Sequence, residues 1–333
     1  MASRLNPSWW HGDASLDDTI AEAMNLPLHR ERWKYTRPQK AFDLVTPDSG
    51  TASEIGTVDI DAQLKTAPDA LFPFIQGYNL TSVDAGTSQL DLSNQINPVH
   101  VEVAANSHME IHRHEVSGFG NFVWLNIGTN GSAEVSLNAL TETPFWDSLH
   151  IYLKRDARLV LNIHNLGASL ARQDVQIHCE EPGADVTINA AASVTKGAHL
   201  DQQVTLHHKA PNTSSRQQFH TAAAAKSQVT FNGRIHIYEQ CPGVDAHLSN
   251  KNLALSESAT INTKPELEIY TDDVACSHGA TVGALDEAEL FYCVSRGISP
   301  ELAQRMLGLG FLKTASNGPL AEPAQGAFEG VLA

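Results

Sequence analysis

Hydrophobic and polar positions give the chain two textures. From about residue 97 to 275, short β-branched runs alternate with polar turns: Val99–Val103, Phe122–Ile127, Ala133–Leu137, Leu159–Ile163, Asp174–Ile177, Asp185–Ile188, Val204–Leu206, Gln228–Phe231, Arg234–Tyr238, Ala259–Ile261 and Leu267–Tyr270. Each run alternates with a two-residue period, the mark of a half-buried strand. Helical periodicity is nearly absent across this stretch, so the pattern predicts an all-β core of many short strands rather than alternating βα units. An asparagine recurs just after a β run, at Asn126, Asn138, Asn162, Asn189, Asn232 and Asn262. Asparagine tolerates left-handed backbone, which predicts these positions at strand-to-strand corners. Loose multiples of a coil-sized period point to a parallel β-helix, in which each coil buries its face on its neighbours. A β-sandwich and a double-stranded cupin barrel fit the same texture.

The ends of the chain read differently. Residues 1–44 form a predicted N-terminal helical segment: Ser15 can cap, Asp17 and Asp18 suit the positive end of the helix dipole, and Leu16, Ile20 and Met24 share a face. Residues 45–96 are polar and punctuated by Pro, Gly, Ser and Thr, as a linker or irregular strands would be, and the β core is expected over 97–284. Residues 285–313 turn helical again. Asp286 with Glu289 makes a box-like start, Gly297 stops the helix, and Ser299-Pro300 restarts one that carries Leu302, Met306 and Leu309. Residues 314–333, rich in Ala, Gly, Pro and Glu, are expected to be a mobile tail.

Composition narrows the function. Basic residues number 22 and acidic residues 38, a net charge of −16 that argues against nucleic acid or anionic lipid as the main partner. Apolar residues make up 42% of the chain and charged residues 18%, enough apolar material for a sizeable core and too little charge for a disordered chain. No run of about 18 apolar residues predicts a membrane span, and the first residues contain no apolar stretch of a secretory signal. The four cysteines, Cys179, Cys241, Cys276 and Cys293, are spread singly, which suits a reducing cytosol. Phosphate-binding loops, a dinucleotide fingerprint and a nucleophile elbow are all missing from the sequence, so it predicts no ATP hydrolysis and no serine-hydrolase chemistry in this chain.

Histidine stands out, with 16 in the chain. The densest group is His108, His112 and His114, with Glu110 and Glu115 interleaved. On a strand His112 and His114 share a face at a span that a metal could bridge, as in a cupin-like metalloprotein, although Glu115 faces the other way. A polar strand face with solvated imidazoles is the favoured reading. His207-His208 point to opposite faces, and with His220 they read as structural. The most unusual stretch is Asp272-Asp273-Val274-Ala275-Cys276-Ser277-His278-Gly279. Cys276 and His278 share a face of an extended backbone, so a thiol and an imidazole lie side by side. They could bind iron or a borderline metal, or make a nucleophile–base pair; two ligands leave a metal site incomplete. The rival reading is a turn leaving the β core, with Asp residues capping it.

At this stretch the sequence resembles a known family. Thr263-Lys264-Pro265-Glu266-Leu267-Glu268-Ile269-Tyr270-Thr271-Asp272-Asp273-Val274, running into Cys276-Ser277-His278-Gly279-Ala280-Thr281-Val282-Gly283, is similar to the C-terminal signature of the SufD family, scaffold proteins of the SUF iron–sulfur cluster assembly system. The likeness continues through Leu290-Phe291-Tyr292 and Ser295-Arg296-Gly297-Ile298, and reaches back to Ser215-Arg216, Phe231-Asn232-Gly233 and Asn250-Lys251-Asn252-Leu253. It is dense over about residues 205–312 and sparse before.

The resemblance implies a mainly β fold, a right-handed parallel β-helix flanked by N-terminal and C-terminal helical parts. It implies a non-catalytic scaffold that pairs with a SufB-like paralogue and docks a SufC-like ABC ATPase. It places His278, beside Cys276, at the paralogue interface, where iron or a nascent cluster is held transiently and no cofactor is bound tightly by this chain alone. The docking segment would use Asp286, Leu290, Phe291, Arg296, Leu302, Met306 and Phe311. Two other expectations stay open: a cupin-like metalloprotein using His112 and His114, and a structural homodimer of the same fold without cluster chemistry.

Overall fold

Stacked partners in this chain recur at coil-sized separations, 24 residues at Asn106 and Asn130 and 32 residues at Arg234 and Glu266. The computed structural model describes residues 81–83, 88–92, 99–114 and 118–332. The expected N-terminal helix at 1–44 and most of the 45–96 segment lie outside them.

Sixteen strands form two eight-stranded parallel sheets, and the chain alternates between them. The first sheet holds β1 (Thr81–Val83), β3 (Val99–Val103), β5 (Gly118–Ile127), β7 (Phe145–Leu153), β9 (Ala171–Cys179), β11 (His199–His208), β13 (Gln228–Ile237) and β15 (Thr260–Ile269). The second holds β2 (Gln89–Asp91), β4 (His108–Arg113), β6 (Ser132–Ala139), β8 (Arg158–Asn165), β10 (Asp185–Val194), β12 (Ser214–Ala223), β14 (Asp245–Ala254) and β16 (Ala275–Gly283). One odd strand, a tight turn and one even strand make a coil, and every coil lies on the next. The fold is the parallel β-solenoid that the texture predicts, and it begins earlier than residue 97, since β1 and β2 fall in the segment expected to be a linker.

Register turns each strand position into a column. Val101, Leu125, Ile151, Ile177, Leu206, Ile235 and Leu267 stack on one side of the interior. Ile111, Val135, Leu161, Ile188, Gln217, Leu248 and His278 stack on the other. Burying each aliphatic member contributes about 1.5–3 kcal/mol, and the columns meet in one continuous core. The core also holds an ion pair. The Arg113 guanidinium donates to both oxygens of Asp147 at 2.9 and 2.5 Å, and Gln202 donates to Gln173 in the neighbouring coil.

One corner repeats in every full coil. Asn106, Asn130, Asp156, Asn212 and Asp273 have φ between 54° and 58°, with Gly183 at 79° and Gly243 at 74° in the remaining coils. Only short polar residues and glycine adopt this backbone cheaply. Backbone N–H groups of these corners donate to the next coil, as Asn130 does to Arg155 at 2.8 Å. The asparagines expected at corners lie elsewhere. Asn126, Asn138, Asn162, Asn189, Asn232 and Asn262 are inside strands. Some build ladders there: Asn189 donates to Asn162 at 3.1 Å, and Asn126 sits between His100 and Glu102.

Three helices follow: α1 (Glu287–Ser295), α2 (Pro300–Lys313) and α3 (Ala321–Val331). The last two lie on the outer face of the even sheet, α2 over β10 and β12 and α3 over β8 and β10. The segment 314–333, expected to be mobile, is therefore largely a packed helix. Phe328 and Ala324 of α3 are fully buried with Leu312 of α2 against Ala191 and Ala222 of the sheet. Just before α3, Gly318 has φ +83°, and a Cβ there would sit 2.3 Å from the Asn162 side chain. Small residues bring chain and sheet into contact, which composition alone reads as low complexity.

His164, His178 and His208 are built into the solenoid as buried rings. His178, fully buried, is stacked between Tyr152 (centroids 4.7 Å, planes 7° apart) and His207 (4.5 Å, 0°). Burial holds it far below its ordinary pKa, and the His207 ring adds to that. His208 bonds Thr213 and Ser215 inside the solenoid, and burial pushes it down to about 4; His164 is held at about 4 for the same reason.

Two predictions follow from packing and protonation. Phe328→Ala removes a fully buried ring, so thermal unfolding should show a loss of about 3–5 kcal/mol, with α3 becoming sensitive to limited proteolysis. For the histidines, the unfolded chain titrates near pH 6.5 and the folded chain well below it, so the unfolded state binds more protons as pH falls. Stability is complete above about pH 7 and declines below it, by about 1.4 kcal/mol per buried imidazole at pH 5.5. Urea midpoints at pH 7.5 and 5.5 check this, and an unchanged midpoint would contradict the assignment of neutral buried rings.

Candidate functional site

The solenoid stops at a coil that nothing described here covers. β15 pairs only with β13, and β16 only with β14, so both terminal strands keep an open edge. Ile269, Tyr270 and Val282 are exposed there, Tyr270 at 58%.

Cys276 and His278 lie on β16, and the two-residue period puts both on its inward side. Cys276 stacks on Ala246 and His278 on Leu248, and both partners belong to the core. Cys276 is half-buried against that core. Burial raises its thiol, opposed by a hydrogen bond from the Ala246 backbone and reinforced by the Asp245 charge, so it is protonated near neutral pH. His278 occupies a column position filled by Leu248 and, further in, by Ile188, yet it is exposed because no coil follows. The preceding Asp273 takes the left-handed corner, so the turn reading of this stretch also holds.

The opposite side of the same strand carries Ser277, which meets His247 and, through it, Asp245 of β14, two residues that the sequence did not single out. Ser277 Oγ is 2.5 Å from His247 Nδ1, His247 Nε2 is 2.7 Å from Asp245 Oδ1, and Arg216 donates to Asp245 Oδ2 at 2.6 Å. The Arg216 hydrogen bond chiefly, with help from His247, holds the Asp245 carboxyl below the usual carboxylate range. Their only sequence signal is register: Arg216, His247 and Ser277 share one outward column across three coils.

The helices form a second exposed surface. Asp286 caps α1, accepting from the backbone of Ala288 at 2.7 Å and Glu289 at 3.2 Å. Ser299 caps α2 through Leu302 N, with Pro300 in the first turn. α1 buries no residue. Phe291 is 73% exposed, Tyr292, Leu302 and Met306 are also exposed, and Leu290 is partly covered. The Arg296 guanidinium lies 5.2 Å from the Tyr292 ring centre. Phe311 is removed from this surface: it stacks on His220 (4.7 Å, 11°), and that ring also bonds Thr314.

The other histidines make no metal site: among the described residues no three His, Cys, Asp or Glu side chains are grouped to hold an ion. His108 bonds Ser132, His112 lies on the outer face with Glu110 at 4.0 Å, and His114 lies past the strand end.

Known proteins share this framework. Residues 85–311 match the family described as SUF system FeS cluster assembly, SufBD core domain. The iron–sulfur cluster assembly protein SufD of Escherichia coli (strain K12) is 35% identical over 161 residues, 48% of this chain and 38% of that protein. A SufBD family protein of Synechocystis is 32% identical over 166 residues (48% and 37%), and SufB of Bacillus subtilis is 31% identical over 149 residues (45% and 32%). The matched stretches thus span less than two-fifths of these relatives' lengths. With two thirds of its residues on that family's pattern, the chain belongs to the SufBD core family of the SUF iron–sulfur cluster assembly system.

Proposed function

We propose that this chain is a cytoplasmic, non-catalytic scaffold that holds iron or a growing iron–sulfur cluster transiently at a subunit interface. The partner across that interface is a SufB-like paralogue of the same fold, and an ABC-type ATPase of the SufC kind docks on α1 and α2. The observation that carries this reading is the inward column that ends, uncovered, in His278 on a strand paired along one edge only. Solenoid coils are stable through their neighbours, so an exposed core position beside two open edges asks for a covering surface. A second solenoid end offers strand edges and side chains together. A neutral imidazole is a competent iron ligand, and a neighbouring thiol can join it once deprotonated by the metal. The ligands that this chain lacks would then come from the partner. Phe291, Tyr292, Leu302 and Met306 form an apolar face with an arginine at its margin, a surface of the kind that docks a protein.

The test is co-expression with a SufB-like protein, a SufC-like ATPase and a cysteine desulfurase. His278→Ala should leave the three subunits co-purifying while cluster formation falls at least tenfold, read from the visible absorbance of reconstituted complex. Normal cluster formation would overturn the interface role, and purification as a homodimer that ignores the SufB-like protein would favour a purely structural solenoid. Phe291→Asp combined with Met306→Asp should weaken ATPase binding at least tenfold and spare pairing with the SufB-like protein, measured by titration calorimetry.

A further inference from the structure

β16 poses a mechanical problem that its own backbone does not solve. It is the last strand of its sheet, hydrogen-bonded on one side only, yet it carries Cys276 and His278. A strand held along one edge can twist about its axis, and on the inward side only Cys276 packs against the core. His278 has no following coil to fix its direction.

The outward side supplies what is missing. Ser277 lies between Cys276 and His278 in sequence and points the other way, onto the face where His247, Asp245 and Arg216 are joined. The chain of contacts is continuous: Ser277 Oγ to His247 Nδ1 at 2.5 Å, His247 Nε2 to Asp245 Oδ1 at 2.7 Å, and Asp245 Oδ2 to Arg216 Nη2 at 2.6 Å. Arg216 Nη1 also donates to the Asp245 carbonyl at 3.2 Å, so one guanidinium grips both backbone and side chain of Asp245. With Nε2–H donated to the Asp245 carboxylate, Nδ1 is the ring atom left to pair with the Ser277 hydroxyl.

We infer that Arg216, Asp245, His247 and Ser277 form a clamp that locks the rotation of β16 and thereby aims His278 at whatever covers the open end. They are positioning residues and touch no cargo. The inference rests on the interface reading of His278 for its functional consequence, while the clamp itself is a property of this chain alone. Exposed ion pairs contribute little to global stability, and this one is half-exposed at each member. Its effect is local, on the one strand that has a single neighbour. Imidazole at position 247 is not chemically unique here, since a glutamine amide can also donate to Asp245 and accept from Ser277.

The experiment compares His247→Ala, His247→Gln and Ser277→Ala with wild type in the full chain and in the co-expressed complex. Hydrogen exchange of the backbone amides of residues 275–283 should speed up about fivefold to tenfold in His247→Ala and Ser277→Ala, with the amides of β12 unchanged. In His247→Gln the rate should stay within about twofold of wild type. Cluster formation should follow the same order, falling about tenfold in the alanine variants and recovering in His247→Gln, while all subunits co-purify. Unchanged exchange in His247→Ala would overturn the clamp, as would equal failure of His247→Ala and His247→Gln. Were His278→Ala to form clusters normally, the interface reading would fall, and hydrogen exchange alone would still decide the clamp.

Discussion

Coil-on-coil hydrogen bonding governs this molecule. Every strand described here, apart from those at the ends of the two sheets, finds both of its neighbours in the preceding and following coils, about one coil length away in sequence. The arrangement is one-dimensional, so each coil is stabilised by the two beside it and by little else. Two consequences follow. Residues in a column must suit one another down the whole stack, and the stack must end somewhere with its bonding and its core unfinished.

The first consequence explains where the histidines go. A ring that stacks flat on the next ring fits a column as well as an aliphatic chain does, provided it stays uncharged. Tyr152, His178 and His207 do this on the odd sheet, and Trp124 lies on His150 with centroids 5.3 Å apart. His220 uses the same flat contact to hold Phe311 of α2. A histidine-rich chain need not be a metal-binding chain. Here the rings act as polar-edged packing units, and stacking face to face along a column does not gather three ligands around one point among the described residues.

Much of this was legible from residue patterns. Two-residue alternation marked β3, β5, β6, β8 to β11 and parts of β13 and β15 but passed over β7, β12 and β14, the loose coil period pointed to the solenoid, and Asp286 and Ser299 marked the helix starts. Cys276 and His278 were visible as a same-face pair for the same reason of period. Other features depend on contacts that no local pattern encodes. The corners use Asn106 and Asn130, while Asn126 sits within a strand and bonds across coils, because an Asn suits both a left-handed turn and a ladder. α3 reads as low-complexity tail until Ala191 and Ala222 are known to offer a shallow surface for Phe328. The link from Ser277 to His247 spans 30 residues and exists only once register is fixed.

The second consequence, the unfinished end, is what leaves His278 exposed. An imidazole buried at an inward position is inert: His208, within the solenoid, has both ring nitrogens satisfied by Thr213 and Ser215 and is held neutral by burial. His278 stands in an inward column as well, stacked on Leu248, but one coil beyond the point where the column closes. The inward position that buries a side chain within the stack leaves this one exposed at its end. Placing a ligand there needs no new loop or pocket. It needs the solenoid to stop one coil short of covering it, and the opposite face of the last strand to be held so that the uncovered side chain keeps its direction.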